Sequence, residues 1–186
     1  GQRVLVVDND PQGNLTAVAA AESVEEDQAG LADALSSRAP ETIRDVIVRG
    51  VWPGLDVVPT SGVTLGYVRD ELVIAGAGRE GRLREALATV AADYDLILID
   101  CAPSLDQLTI NGLTAAGSIV VVTHSKLFSA NGLAQLLDRA VERGADVGHR
   151  SEVAEQQPAG RPLAHPLERA ERRVEVIELV AVDAGG

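Results

Sequence analysis

The stretch that decides the fold of this chain is R-V-L-V-V-D-N-D-P-Q-G-N, residues 3–14. A second stretch, D-L-I-L-I-D-C-A-P-S at residues 95–104, has the same design. Each is an apolar run that ends on an aspartate and then turns at a proline, which is typical of strands buried on both faces in a parallel sheet. Because open α/β sheets bind ligands at the carboxyl ends of their strands, we expect Asp8, Asp10 and Asp100 to share one crevice. Such a crevice suits Mg²⁺ and phosphate chemistry.

The rest of the chain alternates predicted strands with predicted helices, which indicates a doubly wound, mostly parallel α/β sheet. Further strands are predicted at 55–59, 96–100 and 118–123, and helices at 30–36, 41–48, 64–74, 79–91, 106–116 and 129–143. Residues 144–173 are rich in Arg, Glu, Gln, Pro and Gly and have no apolar period, so they are predicted as irregular, with a candidate helix at 166–172. Residues 174–182 form a candidate last strand. We therefore predict a domain at 1–143 and a divergent, partly irregular segment at 144–186.

Composition bounds the class of protein. A chain of 186 residues with 46% hydrophobic residues can bury the core of one domain. Its net charge of −12 argues against a dominant nucleic-acid surface. A single cysteine excludes an internal disulfide and fits a reducing cytoplasm. No apolar run approaches the roughly 20 residues of a membrane span, so we expect no membrane partner.

Two motifs carry a resemblance to a known family. D-N-D-P-Q-G-N-L-T at 8–16 resembles the second motif of the ParA family of deviant Walker ATPases, which partition chromosomes and plasmids. Y-D-L-I-L-I-D-C-A-P-S at 94–104, followed by L-T-I-N-G-L-T-A-A at 108–116, resembles that family's Walker B strand and switch region. The similarity runs from about Arg3 to Asp138. It implies a P-loop NTPase-like fold, ATP and Mg²⁺ as cofactors, and ATP hydrolysis that drives partitioning.

The chain also departs from the family's pattern. The family has a phosphate loop of the form K-G-G-x-G-K-T before its D-x-D-P-Q segment, whereas the single lysine here is Lys126. We therefore expect an N-terminally truncated domain, without the first strand, the phosphate loop and the first helix, that binds ATP poorly by itself. By resemblance, the absent strand is a central neighbour of the Walker B strand. Its absence would leave an apolar edge beside residues 96–99.

The resemblance assigns the chemistry to three aspartates. Asp10 would be catalytic and would orient the attacking water. Asp100, the Walker B carboxylate, would be catalytic as well and would hold Mg²⁺ through water, since Mg²⁺ keeps several of its waters in protein sites. Asp8 would support the same network of water around the metal. The alternative is that Asp8 and Asp10 only end a strand and begin a turn, because Asp-Pro is a common turn dipeptide.

Five further residues are assigned to nucleotide binding by resemblance. Gln12, Gly13 and Asn14 would form the first switch loop, where glycine allows the backbone to approach phosphate closely. Pro103 and Ser104 would belong to the second switch, which reports the nucleotide state to a partner. The alternatives are an ordinary loop for the first group, and for the second a helix N-terminus with Ser104 as its cap.

The implied partners are a DNA-bound ParB-type protein, nucleoid DNA and a second copy of the parent protein in a nucleotide-dependent dimer, all in the bacterial cytoplasm. Two other functions stay open at this point. A non-catalytic pseudo-ATPase could keep the partner surfaces without hydrolysing ATP. A response-regulator receiver domain also opens with a strand that ends in paired acids, but the separation of Asp10 from Asp100 along the chain is longer than a compact receiver allows.

Overall fold

The computed structural model describes residues 1–102, 104, 106–122 and 173–179, and of residues 120–122 and 173–179 it describes the backbone alone. The first half of these contains β1 (Val4–Asn9), α1 (Asn14–Ala19), α2 (Leu31–Leu35), α3 (Ile43–Val46), β2 (Val48–Arg49) and β3 (Leu55–Val58). The second half contains α4 (Thr64–Ile74), α5 (Arg82–Ala88), β4 (Leu96–Cys101), α6 (Gln107–Ala115), β5 (Ser118–Val122) and β6 (Arg173–Leu179). No helix among these residues combines the length and the apolar character that crossing a membrane would require.

The strands form one sheet in the order β2-β3-β1-β4-β6-β5. All neighbouring strands are parallel except β2, which runs antiparallel to β3. The two stretches that decide the fold are therefore direct neighbours, and their register places Asp8 opposite Asp100 and Asn9 opposite Cys101. An α/β fold with a mostly parallel sheet is thus confirmed.

Helices cover the two faces of the sheet unequally. The larger core packs α2 to α6 against one face, here called the five-helix face, to which Leu5, Val7 and Ile99 contribute fully buried side chains. The opposite face, here called the α1 face, has a smaller apolar cluster around Val6 and Val57, covered by α1. Alternate residues of a strand point to opposite faces, so Asp8 and Asp100 lie on the α1 face and Asn9 and Cys101 on the five-helix face.

The predicted apolar edge beside Leu96–Ile99 is not present. Strand β6 pairs in parallel with β4 from Leu96 opposite Arg173 to Cys101 opposite Glu178, and it pairs with β5 on its other side. The backbone groups on that side of β4 therefore have partners within this chain. The candidate last strand at 174–182 corresponds to this strand, although β6 begins one residue earlier and ends at Leu179.

The sequence predicts the strands and α4 more closely than the short helices. Helix α1 was not predicted, and the predicted helix at 41–48 is one turn, α3, followed by the two residues of β2. The β-branched Val48 and its neighbour Arg49 pair with the edge of β3, so tertiary contacts override a weak helical pattern. The predicted helix at 79–91 begins as a 3₁₀ turn at Arg79–Gly81, and α5 itself ends at Ala88. The predictions for 129–143 and 166–172 lie outside the described residues, as does the irregular segment predicted at 144–173 except for Arg173, which is the first residue of β6. The domain division at 143 stays a prediction.

A polar network joins α2, α4 and α5 on the five-helix face. The Glu71 carboxylate of α4 accepts hydrogen bonds from the Ser37 backbone N–H at 3.1 Å, the Ser37 and Ser36 hydroxyls at 2.9 and 3.0 Å, and Arg82 Nη1 at 3.0 Å. The Ser37 N–H and these side chains lower the pKa of Glu71 to about 2. Arg82 also donates to the Leu35 carbonyl at 2.9 Å, which ties α5 to the end of α2.

Candidate functional site

The carboxyl ends of β1 and β4 bring the three predicted aspartates together. Asp8 and Asp100 are opposite each other in the register, and Asp10 is the first residue after β1. Burial and, after it, the negative charges of Asp8 and Asp10 together raise the pKa of Asp100 to about 6. The three carboxylates therefore repel one another electrostatically, and this edge of the sheet attracts a cation.

Asp8 is fully buried and is held by the first turn of α1. Its Oδ2 atom accepts hydrogen bonds from the Thr16 backbone N–H at 2.7 Å and from Thr16 Oγ1 at 2.6 Å, and its Oδ1 accepts from the Asp10 N–H at 3.3 Å. Burial raises the pKa of Asp8, and the hydrogen bonds from Thr16 oppose that shift. Both oxygens of Asp8 are therefore engaged in fixing the end of β1 to α1.

Thr60, just after β3, completes this connection. Its hydroxyl donates to the Asp8 carbonyl at 2.6 Å, and its backbone N–H donates to Thr16 Oγ1 at 2.9 Å. Asp8, Thr16 and Thr60 thus join β1, α1 and β3 in one buried network, here called the Asp8 network. Sequence reasoning assigned no role to either threonine. The available signal was weak: Thr60 is a hydroxyl residue just after a predicted strand, and Thr16 is the last residue of the D-N-D-P-Q-G-N-L-T stretch.

Asp10 organises the turn between β1 and α1. Its Oδ1 accepts from the Gln12 N–H at 2.9 Å, and its carbonyl accepts from the Gly13 N–H at 3.0 Å. Gly13 adopts φ of +66°, a left-handed conformation that favours glycine. The glycine therefore serves the turn itself, with its N–H donating inside the turn. The side chains of Gln12 and Asn14 are exposed beside Asp10, which is half-buried.

The segment predicted to be the second switch precedes α6. The N-cap of α6 is Asp106, whose Oδ1 accepts from the Leu108 N–H at 2.9 Å and the Thr109 N–H at 3.2 Å. Ser104 Oγ donates to Asp106 Oδ2 at 3.1 Å, so the alternative with Ser104 as the helix cap is wrong. Ser104 instead supports the cap. Pro103 lies outside the described residues.

On the five-helix face, Asn9 and Cys101 meet α6 at the same level as the aspartates. Asn9 Nδ2 donates to the Leu108 carbonyl at 2.8 Å and to Cys101 Sγ at 3.4 Å. Within the part of the chain that the structure describes, the buried Asn9 Oδ1 has no hydrogen-bond partner. Sequence reasoning missed Asn9, because an asparagine between two aspartates looks like ordinary turn chemistry.

The donor set indicates how a magnesium ion would be held. Among the described residues, no group of three or more His, Cys, Asp or Glu side chains is arranged to hold a metal ion. Asp8 is engaged by Thr16 and Asp10, whereas Asp10 and Asp100 are half-buried. These residues fit a Mg²⁺ ion that keeps its waters and meets the carboxylates through them, and they do not fit an ion enclosed by carboxylates alone.

Comparison with known proteins gives matches to one family. A family model described as an AAA domain matches residues 1–145. The sporulation initiation inhibitor protein Soj of Bacillus subtilis is 41% identical over 138 residues, which cover 74% of this chain and 53% of Soj. The chromosome partitioning protein ParA of Caulobacter vibrioides is 40% identical over 145 residues, which cover 77% of this chain and 52% of that protein. The chain thus spans about half the length of the curated relatives it matches.

A solved structure of the same fold is also similar to this chain. Cobyrinic acid a,c-diamide synthase from Mycobacterium smegmatis, with a bound ATP analogue and magnesium, superposes with a TM-score of 0.66 at 33% sequence identity. The superposition covers 76% of this chain and 56% of that one. Because these matches are to P-loop NTPases, they exclude the receiver-domain alternative. The chain belongs to the ParA family of P-loop NTPases.

Proposed function

We propose that this chain forms the switch and Walker B part of the site of a ParA-type ATPase that partitions chromosomal or plasmid DNA. The observation that carries the proposal is the meeting of Asp8, Asp10 and Asp100 at the carboxyl ends of two adjacent parallel strands. Phosphoryl transfer depends mainly on positioning and on neutralising charge, and an electronegative crevice that attracts Mg²⁺ suits both. The names of the relatives support a role in partitioning.

The three aspartates differ in what they are able to do. Asp10 is half-buried and its carboxylate also holds the turn, so we assign it the orientation of the attacking water. Asp100 is half-buried with a raised pKa, which suits a carboxylate that faces the water shell of a cation. Asp8 is fully enclosed, so its role is to fix β1 and α1 and to add negative charge to the site. When bound, Mg²⁺ would neutralise charge on the phosphates.

The two loops that follow these strands would contact the nucleotide. The exposed side chains of Gln12 and Asn14 stand beside Asp10, and Gly13 provides the tight turn that presents them. Ser104, held on the α6 cap, and Pro103 would form the second switch. We assign both loops to sensing the nucleotide.

The proposed partners follow from the family. They are a DNA-bound ParB-type protein, nucleoid DNA and a second copy of the same protein in a nucleotide-dependent dimer, all in the bacterial cytoplasm. For the 186-residue chain itself we expect weak DNA binding, because its net charge is −12.

A non-catalytic interaction module is the second candidate. It is favoured by one sequence observation: no stretch of this chain has the K-G-G-x-G-K-T pattern, and its single lysine is Lys126. Backbone amides of a phosphate loop normally hold the phosphates, and the Gln12 and Gly13 amides donate within their own turn. We therefore expect weak ATP binding by the 186-residue chain alone, which a titration with labelled Mg²⁺–ATP measures. Tight binding would contradict that expectation.

The proposed function is tested by ATP hydrolysis in Mg²⁺ with the protein expressed from its complete gene. Asp10→Asn keeps the oxygen that accepts from Gln12 and so keeps the turn, but it removes the charge. We expect kcat to fall by about a hundredfold or more, as for loss of a proton-transfer or water-orienting group. Asp27→Asn, on an exposed loop, is the matched control and should leave kcat unchanged. A wild-type protein without ATPase activity, or an Asp10→Asn variant with normal kcat, would overturn the proposal.

A further inference from the structure

Asn9 is a buried polar residue at a position where the fold calls for an apolar one. It follows Leu5 and Val7 on the five-helix face of β1, and both of these are fully buried in the core. Its own side chain is 1% exposed. Only one end of its carboxamide is bonded among the described residues, since Nδ2 contacts Leu108 and Cys101 and Oδ1 has no partner there.

The unpaired oxygen of Asn9 destabilises the folded state. A buried acceptor without a partner loses the hydrogen bonds that it made to water in the unfolded chain. The Leu108 carbonyl that receives the Asn9 N–H lies inside a helix, where such carbonyls also accept from the N–H four residues later. Leucine has a similar size and no polar atoms, so it would fill this position without an unpaired oxygen. Local rules of this kind are broken mainly at functional sites.

The close approach of α6 makes the Asn9 contact a rigid one. Gly112 faces β1 and β4, and a Cβ atom there would lie 2.6 Å from Cys101 Sγ and 3.3 Å from Asn9 Nδ2. The helix therefore rests on the two strands almost at backbone distance. The end of β1 therefore contacts α6 at two places, through Asn9 at Leu108 and beside Gly112.

We propose that Asn9 is a positioning residue that sets where the second switch stands relative to the site. It lies between Asp8 and Asp10 in the chain, and its hydrogen bond fixes the first turn of α6. Asp106, the N-cap of α6, and Ser104, which donates to it, stand beside that turn, so the Asn9 contact sets the position of the described part of the second switch. The inference rests on the proposed function, because it concerns the geometry of the same ATPase site. Small misplacements of reacting groups lower rates strongly even when binding is kept.

The test compares Asn9→Leu with Asn111→Leu in the protein expressed from its complete gene. Asn111 is a buried asparagine of α6, and both ends of its carboxamide are bonded: Oδ1 accepts from the Leu83 N–H at 3.2 Å and Nδ2 donates to the Gln107 carbonyl at 2.9 Å. For Asn9→Leu we expect kcat to fall at least tenfold, KM to stay within about threefold, and the urea midpoint of unfolding to stay equal or rise. For Asn111→Leu we expect the opposite pattern, a lower midpoint with normal kcat.

The outcomes separate this inference from the proposed function. A wild-type protein that does not hydrolyse ATP refutes the proposed function and the inference with it. An active wild type whose Asn9→Leu variant has normal kcat refutes the inference alone. A fall in kcat in both variants, or a fall in kcat that follows lost stability, also refutes it, because general packing would then explain the effect. If Asn9→Leu does not fold, Asn9→Ser takes its place, since serine is polar but too short to reach Leu108.

Discussion

Replacing Thr16 by valine removes one hydroxyl from the Asp8 network and keeps nearly the same side-chain shape. That hydroxyl donates to Asp8 Oδ2 at 2.6 Å and accepts from the Thr60 N–H at 2.9 Å. The variant therefore leaves a buried N–H without its acceptor and a buried carboxylate with one donor fewer. Both effects destabilise the folded state only, because the unfolded chain is bonded to water.

The magnitude follows from these two contacts. An unsatisfied buried N–H costs about 1–3 kcal/mol, and a hydrogen bond to a charged group contributes about 1.5–3 kcal/mol. Because one hydroxyl serves both contacts, the two costs overlap, and we expect Thr16→Val to lower the free energy of unfolding by about 2–4 kcal/mol. Domains have total stabilities of about 5–15 kcal/mol, so this loss is large.

Urea unfolding followed by far-ultraviolet circular dichroism measures this loss. Fluorescence of the single tryptophan is less suitable, because Trp52 is 69% exposed. Thr89→Val is the matched control: Thr89 is exposed and its hydroxyl donates to the Ala86 carbonyl of its own helix at 2.7 Å, so we expect a change within about 0.5 kcal/mol. A loss below about 1 kcal/mol for Thr16→Val would refute the reasoning that the hydroxyl joins two buried partners.

Three further predictions concern pH and packing. Burial and neighbouring carboxylates raise the pKa of Asp100 from 3.8 to about 6, so its charged form destabilises the fold, and stability is lost as pH rises from about 4 to about 6. Asp100→Asn should abolish that loss and gain about 1–2 kcal/mol at pH 7, less than the full shift would give because Asp100 is half-buried and solvent screens its charge; urea unfolding across this range measures the gain. The hydrogen bonds to Glu71 lower its pKa to about 2, so the stability that they provide is complete above about pH 4.5 and is lost as pH falls towards 2. Thermal melts of Glu71→Gln should therefore show a smaller fall in melting temperature between pH 4.5 and pH 2 than those of the wild type. Gly112→Ala would place a methyl group 2.6 Å from Cys101 Sγ, and we expect chemical denaturation to report a loss of about 1–3 kcal/mol, whereas an unchanged midpoint would show that α6 is free to move away.

The sheet could be predicted because its strands are long apolar runs that end on polar residues. The runs at residues 3–8 and 96–100 lie where β1 and β4 are found, and the order of strands and helices indicates the doubly wound fold. The short elements were not predictable in this way. Helix α1 has six residues and no side-chain cap, so no local signal marks it, and it is held in place by the contact of Thr16 with Asp8.

The carboxylates of the candidate site could be predicted from the sequence, but the residues that hold them in place could not. Aspartates at strand ends can be read from the sequence, since parallel strands bring their carboxyl ends to one edge of the sheet. The partners that fix them, Thr16 and Thr60, are separated by 44 positions and meet only in the folded chain. Asn9 is missed for the same reason, because its partner Leu108 lies 99 positions away.

The central claim is that the edge formed by Asp10 and Asp100 binds the phosphates and the cation of a nucleotide. A crystal structure of the protein expressed from its complete gene, grown with Mg²⁺ and a non-hydrolysable ATP analogue, tests it most directly. We expect a terminal phosphate beside Asp10 and a Mg²⁺ ion that contacts Asp100 through water. A nucleotide bound elsewhere, or bound with the ion remote from both aspartates, would show that Asp10 and Asp100 do not have the assigned roles.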